Sequence, residues 1–477
     1  MQLKPRRLGR VSGALGLLTA NLFAAGAAHA QDTAAQDAAA QAYAPVQAPS
    51  FDAPTGGDDN ASDAGMTRID SAVLFYQEAG GRVKATEPVV SVNLNSSSGD
   101  VLSLKFTSDT LTGATPNGAT PWKQAQTFIT PAQAPGTTTT VTGASGGSTI
   151  VTIPGTGTVA RQYVIAPHAL PVDAGFRDQR YAGDIGYSTL WDPDTRLSVG
   201  GSFSSERDYS SFSINGGVSR DFNHHNTTAS LGLNFEFDKS SPTFGTPQPL
   251  TVMSADPKGP DQSKTVSNLV LGVTLVMSRR WLAQLNYSVG LSDGYQTDPY
   301  RFISVVDPVT GAPVEYLYES RPKSRVRQSV YFGNKVAIGP TVVDFSARAY
   351  HDSWGINSVT ADLAYRVPII SWIYVEPEAR YYHQSAASFF RDYLVSGQPL
   401  PSQASSDSRL DKFNAVTLGL KVGFKLFRTG ELYVQGENYK QTGTNHPAGA
   451  IGDLANEKLF TGVNATSVMV GYSFAFY

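Results

Sequence analysis

The sequence predicts an all-β chain that forms a single transmembrane barrel of about sixteen antiparallel strands. Three observations predict it. First, apolar and polar residues alternate along unusually long segments. In "NAVTLGLKVGFKLF" the residues Val416, Leu418, Leu420, Val422, Phe424 and Leu426 take every second position, with Thr417, Gly419, Lys421, Gly423 and Lys425 between them. A helix would smear these two sets around its circumference, whereas a strand separates them onto opposite faces. Second, about sixteen such segments follow one another from Ile69 onward, within the size range of bacterial outer-membrane barrels. Third, the connections are mostly short at one end of the segments and long at the other.

The chain begins with Lys4, Arg6, Arg7 and Arg10, an apolar stretch "VSGALGLLTANLFAAGAA", and the small-x-small site Ala28-His29-Ala30. Residues 1–30 therefore read as a cleaved secretory signal peptide, which directs the mature chain to the cell envelope. Four basic residues leave with it, taking the net charge from −3 to −7. Mild acidity of this kind argues against nucleic acid as a partner. There is no cysteine, so an exported chain of this size is held by its fold rather than by disulfides. Residues 31–66, with six aspartates and no Lys or Arg, read as a disordered acidic leader. Residues 67–477 remain for the barrel.

Within that span the segments "TASLGLNFEFD", "LAQLNYSVGLS", "VVDFSARAY", "SVTADLAYRV" and "SWIYVEPEARYY" repeat the alternation. They run to roughly 12–16 residues, against a mode of about 5–6 in globular proteins. Tight turns fall at 96–99, 192–195, 223–226, 278–280, 338–341, 367–371 and 428–430. Longer links fall at 110–175, 241–263, 294–322, 385–408 and 441–462, with only three short ones on that side. Both termini then lie on the short-turn side, as an even strand number requires. Trp191, Trp281 and Trp372 stand beside short turns, where indole would sit at headgroup level. Tyr350, Trp354, Tyr381 and Tyr382 are expected to supply the second aromatic belt. In the alternative reading, a secreted soluble sandwich, the apolar face would be the core and the lysines would meet bulk water.

The strings "FYQEAGGRVKATEPVV", "ERDYSSFSINGGVSRDFNHHNTT", "DGYQTDPYRF", "AYHDSWGINSVT" and "RYYHQSAASFFRDY" carry a resemblance. They resemble a domain-of-unknown-function family of Gram-negative bacteria expected to form outer-membrane barrels, over almost everything from Arg68 onward. The resemblance implies class and location rather than mechanism. Its frequent gene neighbours, a flavin transferase and thioredoxin-like proteins, imply periplasmic redox-linked partners. One departure lies at the end of the chain. In "SVMVGYSFAFY" the apolar set ends on Phe476, so Tyr477 falls out of register.

The polar faces give an inventory for the lumen. Its acids are Asp184, Glu236, Asp238, Asp344, Asp362, Glu376, Glu378 and Glu437; its bases are Arg325, Arg327, Lys335, Arg348, Arg366, Arg380, Lys421 and Lys425. Such balanced signs suit either a charge-selecting constriction or a ladder of ion pairs that braces the wall. Asp109, Glu206, Asp208, Asp293, Asp298, His351 and Asp352 fall toward the long-link rim. Oxygen-rich sites of this kind suit calcium or magnesium, here bridging to a ligand or to lipopolysaccharide, and Asp293 and Asp298 are the leading pair. No other cofactor is expected.

Catalysis is not expected. His351 and His383 lie near Ser353 and Ser385 in sequence, but no nucleophile motif surrounds either serine. The His224-His225 pair lacks a spaced third metal ligand. The Thr-, Gly- and Ser-rich link 110–175 suits a lid, a constriction or a surface tether equally. The expected function is a porin-like channel for small hydrophilic solutes in the outer membrane, placed there by the barrel-assembly machinery. The alternative is a non-conducting barrel whose outer loops bind a ligand or a protein.

Overall fold

The computed structural model describes residues 65–131, 142–143, 146–147, 160–253, 258–427 and 429–476. The expectations for the signal peptide, nearly all of the acidic leader, and Tyr477 lie outside the described residues, as does most of the Thr- and Gly-rich string after Pro131.

Among the described residues, sixteen antiparallel strands close into one barrel. They are β1 (Thr67–Glu78), β2 (Lys84–Asn95), β3 (Val101–Pro116), β4 (Val172–Asp192), β5 (Thr195–Ser205), β6 (Tyr209–Phe222), β7 (Thr227–Ser240) and β8 (Gln262–Ser278). The second half comprises β9 (Trp281–Gly294), β10 (Ser324–Ile338), β11 (Thr341–Asp352), β12 (Asn357–Ile370), β13 (Ile373–Gln384), β14 (Phe413–Leu426), β15 (Gly430–Gly443) and β16 (Asn464–Phe476). Each strand pairs with the next, and β1 closes the ring on β16 with Ile69 opposite Phe474. Closure leaves no strand edge unpaired, a condition for backbone placed in hydrocarbon.

The alternation sets which face points where. Leu418 is 60% exposed, whereas Lys421, three residues on, is 6% exposed. Phe106, Ile185, Phe203, Phe237 and Leu285 are exposed in the same way on other strands. A soluble sandwich would show the reverse, so the apolar face is the exterior and hydrocarbon is its solvent. The three tryptophans beside the short turns are exposed as well. Of the four aromatics expected on the opposite belt, only Tyr381 is exposed. Tyr350 and Tyr382 fall on inward positions of their strands, and Trp354 is buried edge-on against Phe389.

Toward the short-turn end, Tyr374, Gly423, Tyr433 and Gly471 lie opposite one another on β13 to β16. Each ring lies flat against the next glycine. A Cβ at Gly423 would come within 2.1 Å of Tyr374, and one at Gly471 within 2.2 Å of Tyr433. Only glycine admits that approach. Gly471→Val is therefore expected to lower stability by about 1–3 kcal/mol through overpacking. Gly436→Val, where a Cβ would meet nothing within 4 Å, is expected to leave it unchanged. Urea midpoints of the two variants in lipid vesicles check this.

The long links do not hang free of one another. Phe302–Val306 pairs with Pro313–Tyr318 and, in parallel, with Leu394–Val395. Phe128 and Tyr163 from the link 117–171 pack on Phe302 and Tyr318, with Met253 against them. Ile303, Val305 and Leu317 bury Leu394 and Ala404. Trp122 and Val306 meet Leu454 and Leu459. Residues of all five long links thus share one set of small cores and form a cap at one end of the barrel. The described part of the link 117–171 joins this cap, and its flanking strands β3 and β4 reach further into the expected loop than the turn residues suggested. Phe460 anchors the cap inside the wall, against Phe413 and the cluster containing Tyr76, Tyr382 and Tyr439.

Candidate functional site

The lumen wall is built by the inward set of each strand, and it divides into two arcs. On β10 to β15 the inward residues are charged. Lys335 faces Asp344 across a strand boundary at 3.3 Å, and Arg380 bonds Asp362. Arg366 Nε donates to Glu376 at 2.5 Å. Gln435 Nε2 donates to Glu378 at 3.1 Å and to Glu437 at 2.9 Å. Lys421 is opposite Glu376, with its ammonium 4.6 Å from the Tyr433 ring. Lys425 is opposite Glu431, and the Arg348 guanidinium stands 5.6 Å from the Tyr331 ring. Thirteen of the sixteen charged lumen residues singled out from the sequence therefore lie on this one arc, whereas Asp184 lies on β4 and Glu236 and Asp238 lie on β7. Neighbouring strands supply opposite signs, so the arc is close to neutral while carrying strong local fields.

On β5 to β9 the inward set is small and uncharged over most of its length. Asn215, Asn234 and Asn268 stand opposite one another on three successive strands. Ser202 and Ser213 share a hydrogen bond of 2.6 Å one row nearer the cap. A solute in the lumen would meet fixed charges on one side and amides and hydroxyls on the other. That arrangement sorts polar solutes by charge and dipole.

The cap holds a buried ionic cluster that sequence reasoning did not single out. Asp407 accepts from Arg321 Nη2 at 2.9 Å and from Arg409 Nε at 2.8 Å, and Arg301 Nε lies 3.2 Å away. Arg321 also pairs with Glu319 at 2.6 Å, and Ser405 Oγ donates to Glu319 at 2.5 Å. Burial alone would push the Asp407 carboxyl up, but Arg301, Arg409 and Arg321 outweigh it and hold the group well below the usual carboxylate range.

The rim residues occupy separate places. Asp298 accepts from Arg301 Nε at 2.9 Å and so belongs to the cap cluster. Asp109 pairs with Arg180 at 2.5 Å. Asp208 accepts from Thr243 Oγ1 at 2.9 Å and from the Tyr300 hydroxyl, which ties two links to the β5–β6 turn. Asp352 pairs with Arg325 at 2.8 Å and caps the next turn by accepting from the backbone of Trp354 and Ile356. Burial pushes the Glu206 carboxyl up to about 9, with Asp178 acting the same way and Arg180 opposing. Asp293 and His351 are exposed, and His351 Nδ1 is 2.8 Å from Asn357. Among the described residues, no three His, Cys, Asp or Glu side chains converge as a metal ion requires.

His383 pairs with Asn414 at 2.8 Å, while the Ser353 and Ser385 hydroxyls accept from the backbone N–H groups of Val326 and Asn357. In the short turn after β6, His225 lies 3.0 Å from Asp221 and 3.6 Å from Asp194, joining two neighbouring turns.

No curated protein matches the chain. Among solved structures, the ferric enterobactin receptor PfeA of Pseudomonas aeruginosa shares 11% identity at a TM-score of 0.39, over 85% of this chain and 59% of the receptor. This chain thus spans less than two thirds of that receptor's length. The outer membrane protein OpdK of Pseudomonas aeruginosa shares 10% identity at a TM-score of 0.36, over 86% of this chain and 99% of OpdK. OccAB1 of Acinetobacter baumannii shares 8% at 0.37, over 86% and 96%. Likenesses this distant carry no argument about activity. The sequence comparison is direct: over residues 34–474 the chain belongs to the family described as "Protein of unknown function (DUF3570)".

Proposed function

We propose that the protein resides in the outer membrane and passes small hydrophilic solutes through its lumen, past the cap. The observation that carries this reading is the inverted barrel. Its exterior is apolar, its inward face is polar and partly accessible, and sixteen strands enclose enough width for an aqueous path. Export by the signal peptide and insertion by the barrel-assembly machinery belong to the same proposal. Single-channel recording of purified protein in planar bilayers tests it, and discrete conductance steps are expected.

The charged arc supplies a sharper test. Lys421→Glu with Lys425→Glu reverses two fixed charges on β14, and reversal potentials under a salt gradient should move toward cation preference. An unchanged reversal potential would remove this arc from the conduction path. A second reading is favoured by the cap's buried cores. In it the cap seals the mouth, and the barrel presents its outer face to a ligand. Absence of current from wild type, together with current from a variant whose cap is loosened, would decide for that reading.

A further inference from the structure

Fixed charges on the outer face of the barrel are not evenly spread. Arg177 on β4, Thr112 on β3, Lys84 on β2, Gln77 on β1, Thr466 on β16 and Asn438 on β15 stand opposite one another in turn. Lys440, two residues beyond Asn438 on the same face, lies opposite Asn464. The neighbours fix the direction. Glu78, Tyr439 and Ala465 are buried on the inward side, whereas Gln77, Lys84, Arg177, Lys440 and Thr466 are exposed. The band lies at the cap end, since Arg82, just before Lys84, donates to the Thr461 and Gly462 carbonyls at the foot of the last link. Directly beneath it the apolar exterior begins, with Phe75 50% and Val468 41% exposed.

The cations of this band have no anion beside them. Among the described residues, Lys84, Arg177 and Lys440 form no ion pair, whereas Lys239, farther round the outer rim, is held by Asp261 at 2.8 Å. Three unpaired cations at headgroup level attract anions of the membrane surface. Free phosphate would meet the charge but leave the adjoining apolar surface unused, so the fitting occupant is an amphiphile. Neighbouring strands are ~4.8 Å apart, which sets Lys84 about 10 Å from Arg177 and about 14 Å from the strand of Lys440. A single phosphate reaches one of these cations. A disaccharide with a phosphate at each end reaches two, and its hydroxyls meet Gln77, Thr466 and Asn438 between them. Gly436 stands opposite Leu420 and Val468 on the exterior, and a Cβ there would meet nothing within 4 Å. That leaves a shallow trough in which an acyl chain can lie. We propose that the outer rim from β15 through β1 to β4 binds the phosphorylated disaccharide of a lipopolysaccharide-type glycolipid, directly through Lys440, Lys84 and Arg177 and with no bridging metal ion. The inference rests on the proposed outer-membrane placement and not on conduction.

Native mass spectrometry of the purified, folded protein in detergent tests it, with bisphosphorylated lipid A as probe. Phosphatidylglycerol, phosphatidylethanolamine and inorganic phosphate are the comparison arms. Saturable binding of lipid A is expected, about tenfold or more tighter than each of these, unaffected by EDTA and weakened by added salt. Lys84→Gln, Arg177→Gln and Lys440→Gln should each weaken it by about fivefold, and the three together by about a hundredfold. Lys239→Gln, which removes a lysine already paired with Asp261, should leave it unchanged. The proposal is overturned by any of three results: equal binding of phosphatidylglycerol or inorganic phosphate, loss of binding in EDTA, or undiminished binding by the triple variant. If the triple variant does not fold, undiminished binding by the three single variants overturns it instead. A wild-type chain that fails to insert into lipid vesicles overturns the outer-membrane placement and this inference together. An inserted barrel that does not bind lipid A overturns this inference alone.

Discussion

Leu420→Arg sharply lowers the stability of the protein in lipid, while Gly419→Arg leaves it near that of wild type. The two positions are adjacent in the middle of β14, yet they face different solvents. Leu420 is 49% exposed on the apolar exterior. An arginine there costs about 2–4 kcal/mol near the bilayer midplane, which lowers the folded-to-unfolded ratio by about tenfold for every 1.4 kcal/mol. At Gly419 a new side chain would start 3.2 Å from Glu437 and 3.5 Å from Glu378, so the guanidinium would meet carboxylates in the lumen. Urea titrations in vesicles, followed by tryptophan fluorescence, give the comparison. Equal loss in both variants would mean that the two faces are not lipid and lumen.

A comparable effect is expected in the cap. Asp407→Ala removes the carboxylate on which Arg301, Arg321 and Arg409 converge, and Arg321 is fully buried. Breaking one partner out of a buried ion pair costs about 3–5 kcal/mol, because the remaining charges are left uncompensated. The barrel has a separate apolar and hydrogen-bonded framework, so the loss should be local. Rapid amide exchange in Phe302–Val306 and Pro313–Tyr318 is expected, with strand protection retained in β14. Higher conductance should accompany it if the cap narrows the mouth. The pH dependence has a definite sign. The folded carboxyl lies below its unfolded value, so its stabilisation is complete above the ordinary aspartate range and is lost only as pH falls through the folded value. Acidification from pH 7 to pH 5 should therefore leave the cap closed in wild type. Unchanged exchange in Asp407→Ala would show that the apolar cores alone hold the cap.

Much of the wall was legible in the sequence because its signals are local. Period-two alternation placed Leu418 and Lys421 on opposite faces, and turn lengths assigned the ends. The same alternation placed Asp344, Arg366, Glu378 and Lys425 in the lumen. It also ran through Asp70, Lys105, Lys264 and Glu431, inward residues that stood in segments with a weaker apolar rhythm. The cap was not legible. Arg301, Arg321, Arg409 and Asp407 lie in polar links with no period, and only the closed wall brings those links to one end. Asp298 was singled out for a cation, but the guanidinium of Arg301 engages its carboxylate. Trp354 and Tyr382 were placed at the lipid boundary because aromatics favour it, whereas burial against Phe389 and Phe413 took them inward.

The cap also imposes an order on assembly. Its sheet joins Phe302–Val306 to Leu394–Val395, and its cores join Trp122 to Leu454, contacts between segments far apart along the chain. Loop-closure entropy must be met before such distant contacts give any return, and here the growing wall meets it by collecting the link ends on one rim. In the proposed outer-membrane placement, with the cap facing outward, the links would cross the bilayer as extended chain, with Trp122, Phe128 and Leu454 uncovered. They can condense only on the far side, once the strands beneath them are in register. Maturation then has two separable stages, a membrane stage that ends when β1 meets β16 and an aqueous stage that buries the cap. A chain arrested between them would span the membrane with a complete seam and an open, apolar, protease-sensitive crown.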